Sequence, residues 1–407
     1  SDVYKRQDLA MFADNPVIAT LVCGTFLKIT FVPKPNLVST VPGMDVCELL
    51  PKHARWMNKS AVVRSVNHKG GCHNPMPSLT GYPEPLPSIG VNQDGLPPSM
   101  GSVCEYLNDD PSGMPDYVHM PCMLGWGQHI RRAGPYAGFL GRQYDPLFTE
   151  CHPTSKKPGT DYHPQVVLGT PTLPNARLPK GITLDRLNSR KKLTEQFDDA
   201  LRQPGVTSEF DRVQDGALSL LTSNRIRNSF DVESEKGEVR DKYGRTLFGN
   251  SALIARKLVE EGVRFVNVTW DCYYERLKLQ YECWDTHKRN AGILRGYNLP
   301  VLDMTYNALM EDLEKRGLLD ETLVVVMSDF GRTPKHNKDA GRDHWTACQS
   351  IVLAGGGIRG GVTAGQSDEW GYKPLDRANP TQVYDLHATM LHLLGIDHKQ
   401  LLSLIHI

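Results

Sequence analysis

Hydrophobic spacing changes period several times along the last third of the chain, and each change marks an element. Residues 251–261 (SALIARKLVEE) place apolar side chains at helical spacing, Gly262 follows as a stop, and residues 263–269 (VRFVNVT) read as a strand. Residues 299–316 (LPVLDMTYNALMEDLEKR) repeat the helical period ahead of Gly317. Residues 322–327 (TLVVVM) then form the unbroken apolar run of a strand covered on both faces. A third strand at 350–354 (SIVLA) ends in the glycine-rich turn 355–361, and residues 381–394 (TQVYDLHATMLHLL) are a closing helix. This alternation predicts an α/β fold: a doubly wound, mostly parallel sheet flanked by helices, with TLVVVM and VRFVNVT as interior strands.

The first third carries a helical pattern about residues 47–58 and a strand at 61–66, which belong to the same sheet. A long stretch, residues 75–179, is dense in Pro and Gly and includes GPYAGFLGRQYDPLF at 134–148. Compact domains rarely hold so long a loop idly, so an insertion about 75–205 is expected to cover or shape a site. One domain spanning 8–400 is the expected organisation, and no internal repeat is visible.

Charge narrows the partners. Lys plus Arg number 46 and Asp plus Glu number 46, with no basic block, so a nucleic-acid polymer is not suggested. Apolar residues make up 40% of the chain but occur in short runs, far below the ~20 in succession that a membrane helix needs. The nine cysteines include no CxxC pair, and their odd number leaves at least one unpaired within the chain. The ends, SDVYKRQ and LSLIHI, resemble translated sequencing-adapter tails. Residues 1–7 and 402–407 are therefore expected to be artefactual and the chain a fragment.

Three polar clusters fall where a sheet presents ligands, at strand ends. Trp284-Asp285-Thr286-His287 lies in the connection after VRFVNVT, Ser328-Asp329-Phe330-Gly331-Arg332 follows TLVVVM directly, and Gly341-Arg342-Asp343-His344-Trp345 precedes SIVLA. A carboxylate leaving a buried strand costs several kcal/mol to desolvate unless it is paired or binds a cation, so Asp329 needs a partner. Asp285, His287 and His344 are the candidates. Any one of these residues alone reads as a helix cap or an ion-pair member. Three such groups at the strand ends of one sheet point instead to a shared metal. A mixed Asp/His set suits zinc, manganese or iron, and Arg332 beside it could clamp an anionic ester oxygen.

These motifs, in this order, resemble the alkaline phosphatase superfamily, in which an Asp…His pair, an Asp-His after a strand and a later His supply two adjacent metal sites. More closely, the chain resembles the DUF1501 family within that superfamily. The likeness runs from about Phe31 to Asp397 through FVPKP, VPGMDVCELLPKHARWMNKSAVVRS, GPYAGFLGRQYDP, WDTHKRN, RGLLDETLVVVMSDFGRTP, GRDHW, LAGGGIRGG and DLHATMLHLLGID. The resemblance implies one or two divalent metal ions held by Asp285, His287, Asp329 and His344. It also implies a phosphate or sulfate ester as substrate, on a small molecule or polysaccharide, and a periplasmic or otherwise exported location.

The chain departs from that pattern at two places. Phe330 follows Asp329 where the superfamily has His, as in the DUF1501 family itself, and Ile29 and Val32 stand where family aspartates are expected. In the region where the superfamily places its nucleophile, Cys72 lacks the Cys-x-Pro-x-Arg pattern that sulfatase maturation requires, so it reads as a bystander. His68 and His73 are the better candidates there, as ligands or as the acid for the leaving group. The leading expectation is a metal-dependent ester hydrolase. Its rivals are a non-catalytic exported binding or scaffold protein of the same fold, and a phosphomutase.

Overall fold

The computed structural model describes residues 17–22, 36–37, 39–71, 73, 75–84, 91–107, 114–124, 131–156, 166–174, 224–270, 273–274, 277–278 and 284–399. The expectations placed on Ile29, Val32 and Cys72 lie outside the described residues.

The central sheet has eight strands: β1 (Val17–Val22), β2 (Ser60–Val66), β3 (Tyr117–Met120), β4 (Leu147–Phe148), β5 (Phe265–Thr269), β6 (Thr322–Met327), β7 (Gln349–Ala354) and β8 (Val362–Ala364). Their spatial order is β8-β2-β7-β6-β1-β5-β3-β4. All neighbours run parallel except β7, which is antiparallel to both β6 and β2. The sheet is thus mostly parallel, and β5 and β6 are interior strands as their apolar runs predict. The reversal at β7 matters for the site. Because β7 runs against β6, the start of β7 and the end of β6 share one edge, and the connection 328–348 stays on that edge without a crossover helix.

Side-chain alternation on the strands divides the core into two layers. Val324 and Val326 of β6, Val266 and Val268 of β5 and Val352 of β7 face α2 (Leu247–Glu260) and α3 (Leu299–Lys315). Leu323, Val325 and Met327, with Phe265, Ile351 and Leu353, face α1 (Met100–Tyr106) and α4 (Val383–Leu393). Every residue of β6 is buried, and each large apolar side chain there is worth about 1.5–3 kcal/mol on leaving water. That two-sided burial is why the strand reads as one continuous apolar run.

Local chemistry sets the helix ends. The Thr246 side chain caps α2 by accepting from Gly249 N at 3.0 Å. Gln382 and Asp385 form a reciprocal capping box at the start of α4. Gly262 and Gly317 take left-handed φ values of 94° and 70° just past α2 and α3.

Two expectations are corrected. The helical pattern about 47–58 yields only a 3₁₀ segment, His53–Lys59, while Val46–Cys47 pairs with Asn36–Leu37. Pro51 has no amide hydrogen to continue a helix through that stretch, and the Asp303 carboxylate takes up the amides of Lys52 (3.0 Å) and His53 (2.8 Å) instead. Nor is the Pro/Gly-rich stretch wholly an insertion, since it supplies β3 and β4 to the central sheet. β3 escapes a periodicity search because it is four residues long and bracketed by Pro115 and Pro121. No helix among the described residues is long and apolar enough to cross a membrane.

Burial also sets how stability depends on pH. Desolvation pushes His119 down to about 3 and His387 to about 4, so both rings are neutral in the folded protein at pH 7. The unfolded chain takes protons on these rings as pH falls through 6.5 while the folded chain refuses them. Stability is therefore greatest above about pH 6.5 and declines below it, by roughly 1–2 kcal/mol per ring at pH 5. His387→Phe is expected to lower the melting temperature at every pH, because the hydrogen bond to the Ser78 carbonyl is lost. It should also flatten the decline between pH 7 and 5, and thermal melts of both proteins across that range check it.

Candidate metal centre

The three predicted clusters meet at the shared edge of β5, β6 and β7. Trp284 is fully buried against Trp270, just past β5, with ring centroids 5.3 Å apart, and this contact pins the segment carrying Asp285 and His287. Gly331–Arg332 pairs antiparallel with His344–Trp345 and places His344 opposite Arg332.

A tight backbone knot brings the second and third clusters against the first. Arg342 N donates to Thr286 O at 3.0 Å, Arg289 N to Asp339 O at 3.1 Å and Asn290 N to Ala340 O at 3.0 Å. The Asn337 side chain accepts from Gly341 N and donates to His287 O and to the Asp343 carboxylate, each at 3.0 Å. At Gly341 a Cβ would lie 1.8 Å from His287 O, so only glycine lets these two strands of chain touch. Arg289 and Ala340, on either side of the contact, both hold positive φ, 49° and 54°.

One carboxylate stands at the middle. Asp285 Oδ1 lies 2.9 Å from His287 Nε2 and 3.3 Å from His344 Nε2, and it accepts from Arg332 Nη2. Its second oxygen lies 3.1 Å from His73 Nε2. The four donor atoms of His73, Asp285, His287 and His344 all lie within 4.8 Å of one another. Side-chain exposures of 17–28% leave the group partly accessible to solvent.

The outer nitrogens of two of these rings are also held by carboxylates. His73 Nδ1 lies 3.2 Å from Asp329 Oδ2, and His287 Nδ1 lies 2.9 Å from Asp343 Oδ1. A carboxylate on the far nitrogen fixes the tautomer and turns Nε2 inward as a donor, as in carboxylate–histidine–metal triads. The donor chemistry therefore fits the divalent cation that the sequence resemblance implies, with three imidazoles and one carboxylate to hold it. Arg332 shares the Asp285 carboxylate and competes with a cation for part of its charge.

Electrostatics follow the same contacts. Burial opposes charge on Asp285, but hydrogen bonds from His287, His344 and His73, with the Arg332 charge, outweigh it and hold the carboxyl well below the usual carboxylate range. Burial opposes charge on His73 too, yet the Asp285 and Asp329 carboxylates carry it up to about 10. His287 is raised chiefly by its bond to Asp285, whereas desolvation lowers His344.

Four of the seven residues singled out in the sequence come together as donors: Asp285, His287, His344 and His73. Asp329 does not join the set directly. Its Oδ1 accepts from Phe330 N at 3.0 Å and lies 3.1 Å from the Ser328 hydroxyl, and Oδ2 turns to His73. The short Asp side chain lies two residues past the end of β6 and is caught by its own turn before it can reach Asp285. Arg332 is not a free clamp for a substrate anion. It is fully buried, and its second terminal nitrogen donates to Arg342 O at 3.0 Å. His68 lies one step away, its Nε2 2.6 Å from the Asp329 carbonyl oxygen and its ring lowered in pKa by burial.

Phe330 is fully buried, and its ring centroid lies 4.4 Å from that of His344 and 5.4 Å from that of His73. An apolar ring thus walls one side of the cluster, and among the described residues this one group of His and Asp could hold a metal ion. Asp343 and Asn337 were not singled out as functional residues. The signal for Asp343 was present: consecutive residues of an extended segment point opposite ways, so Asp343 and His344 cannot both face one ion, and the acid is left to orient a neighbouring ring.

The Gly341 contact predicts a separable defect. Gly341→Ala must push the His287 segment off the Asp343–His344 segment. Bound zinc or manganese per chain should fall at least tenfold while far-UV circular dichroism keeps the wild-type shape. Full metal retention in this variant would show that the knot does not set the donor geometry.

Among solved structures, the chain is similar to Ps i-CgsB (12% identity, 94% of this chain and 72% of that one, TM-score 0.42). It is likewise similar to the PsFucS1 sulfatase from Pseudoalteromonas sp. (13%, 98% and 70%, TM-score 0.42). A third likeness is to the alkaline phosphatase from the Antarctic bacterium TAB5 (14%, 94% and 99%, TM-score 0.40). Likenesses this distant carry no argument about activity. A comparison with curated proteins gives no match. The profile of the family described as "Protein of unknown function (DUF1501)" matches residues 7–405, and the chain belongs to that family.

Proposed function

We propose that the protein is a metal-dependent hydrolase of phosphate or sulfate esters, with His73, Asp285, His287 and His344 as the ligands of one cation. The observation that supports this most is the pair of imidazoles, His73 and His287, each held by a carboxylate on Nδ1 and turned with Nε2 toward a shared carboxylate. Such an arrangement costs two largely buried carboxylates, Asp285 and Asp329, and a left-handed backbone at His73, φ 53°. Packing alone offers no return for that strain. Three nitrogens and one oxygen favour zinc, manganese or iron over magnesium or calcium.

When bound, such an ion supplies positive charge next to an ester oxygen. The chain's own residues do the rest. Arg332 positions the Asp285 carboxylate, and Phe330 keeps the His344 ring in place. Asp329 orients His73, and Asp343 orients His287. His68, behind Asp329, is a positioning residue that holds the turn through its carbonyl. The class of ester and an exported setting, with a polysaccharide or other extracellular substrate, belong to the same proposal and rest on the sequence resemblance to the DUF1501 family.

The test is metal per chain by elemental analysis, alongside hydrolysis of aryl phosphate and aryl sulfate. His344→Ala should lose bound metal and activity together. Asp329→Asn should keep the fold and weaken metal binding about 10–100-fold, the usual effect of losing an outer carboxylate. A parent protein with no metal, or a His344→Ala variant with unchanged metal, would sink the hydrolase and leave a non-catalytic binding protein as the better account.

A further inference from the structure

The pairing of β8 with β2 ends at Ala364 opposite Val63, while β2 runs on to Val66. Gly365 is what turns the chain off the sheet. It holds φ at 69°, and a Cβ there would lie 1.9 Å from Ser65 Oγ. The chain returns at Thr381, whose hydroxyl lies 3.1 Å from Ser65 Oγ and whose carbonyl accepts from Asn67 N at 3.0 Å. Between the departing loop and the uncovered end of β2 is a cavity of about 680 Å³. That volume lies within the range of small-molecule sites, roughly 300–1,000 Å³.

The loop is held open by its own hydrogen bonds. Asp368 accepts from Tyr372 N at 2.7 Å and Lys373 N at 3.2 Å, and Asp376 accepts from Ala378 N and Asn379 N, both at 3.0 Å. Asp376 therefore lines the cavity with one carboxylate oxygen, Oδ1, taken up by the turn amides. The wall is hydroxyl and amide chemistry from Thr363, Gln366 and Asn379, with Leu375 as an exposed apolar face. One cation, Arg64, is half-buried in it, and desolvation lowers its pKa despite the charge of Asp45 nearby. A guanidinium so placed gains more from an anion than an exposed one does, because water screens it less.

The cavity is tied to the metal centre from two directions. Trp345, next to His344, donates from Nε1 to the Tyr372 carbonyl at 2.6 Å, which fixes the loop to the ligand segment. His68 lies four positions on from Arg64, just past the end of β2, about 13 Å of extended chain, and touches the Asp329 turn.

We propose that this cavity is a subsite for an anionic sugar residue, with a carboxylate or sulfate on Arg64, ring hydroxyls on Thr363, Gln366 and Asn379, and a C–H face against Leu375. Its role, holding a part of the substrate remote from the ester that reacts, rests on the hydrolase reading above, but the binding itself does not.

The full chain is titrated with glucuronate, glucose 6-sulfate, glucose and inorganic sulfate, with binding read by calorimetry or ligand-observed NMR. Both anionic sugars should bind, with glucose and inorganic sulfate at least tenfold weaker. Arg64→Gln should weaken the anionic sugars at least tenfold and abolish their advantage over glucose. Asn379→Ala, on the exposed loop, should weaken them severalfold even if Arg64→Gln does not fold. His344→Ala should bind them as the parent does. No binding of either anionic sugar overturns the proposal, as does inorganic sulfate binding as tightly as glucuronate. Wild-type affinity in both cavity variants, or loss of binding in His344→Ala, overturns it as well. A parent without metal or esterase activity would end the hydrolase reading alone and leave sugar binding to be judged by these titrations.

Discussion

The Asp285 carboxylate is the group on which the rest of the site depends. Held below the usual carboxylate range, it draws His73, His287, His344 and Arg332 onto its two oxygens, and those four residues come from four separate stretches of chain. A charge at the edge of a buried sheet is costly unless such partners compensate it. Remove the carboxylate, and three imidazoles and a buried guanidinium are left facing one another. The site is therefore one electrostatic unit, and its pairs do not contribute independently.

A second tier of acids gives that unit its direction. Asp343 and His344 clasp the His287 ring from opposite nitrogens, and Asp329 holds the far side of His73. The chain thus uses one strand-end aspartate, Asp285, as the centre and turns the other, Asp329, into an orienting group. Phe330 fits this division. Its apolar ring supports His344, and its amide holds the Asp329 carboxylate, whose other oxygen turns to His73.

The fold supplies this arrangement through one topological reversal. With every strand parallel, the segment before β7 would lie at the opposite edge of the sheet from the segment after β6. Because β7 is antiparallel, the connection 328–348 folds back on the same edge, and Gly331–Arg332 can pair with His344–Trp345. The same edge carries the end of β2. His68 therefore touches the Asp329 turn, and the cavity beside Arg64 lies within reach of the centre.

Much of this was legible in the residues. The all-buried strands β5 and β6 announce themselves because a strand covered on both faces must be largely apolar, and α3 and α4 because one face of each meets the core. Asp285, His287 and His344 were legible because polar groups at strand ends need a reason to be there. Short elements were not: β3 has four residues, too few for a period to show, and the helical pattern about 47–58 loses to Pro51 and to the distant Asp303. Nor could sequence rank the acids. Asp285 and Asp329 look alike as residues near strand ends. Only the folded chain decides that Asp329 is captured by its own turn and His73, while Asp285, freed by a longer connection and pinned by Trp284, reaches the middle of the imidazoles. Which face a strand buries is a local property of its side chains, but which carboxylate meets which ring depends on contacts between residues 56 to 256 positions apart, and only tertiary packing makes them.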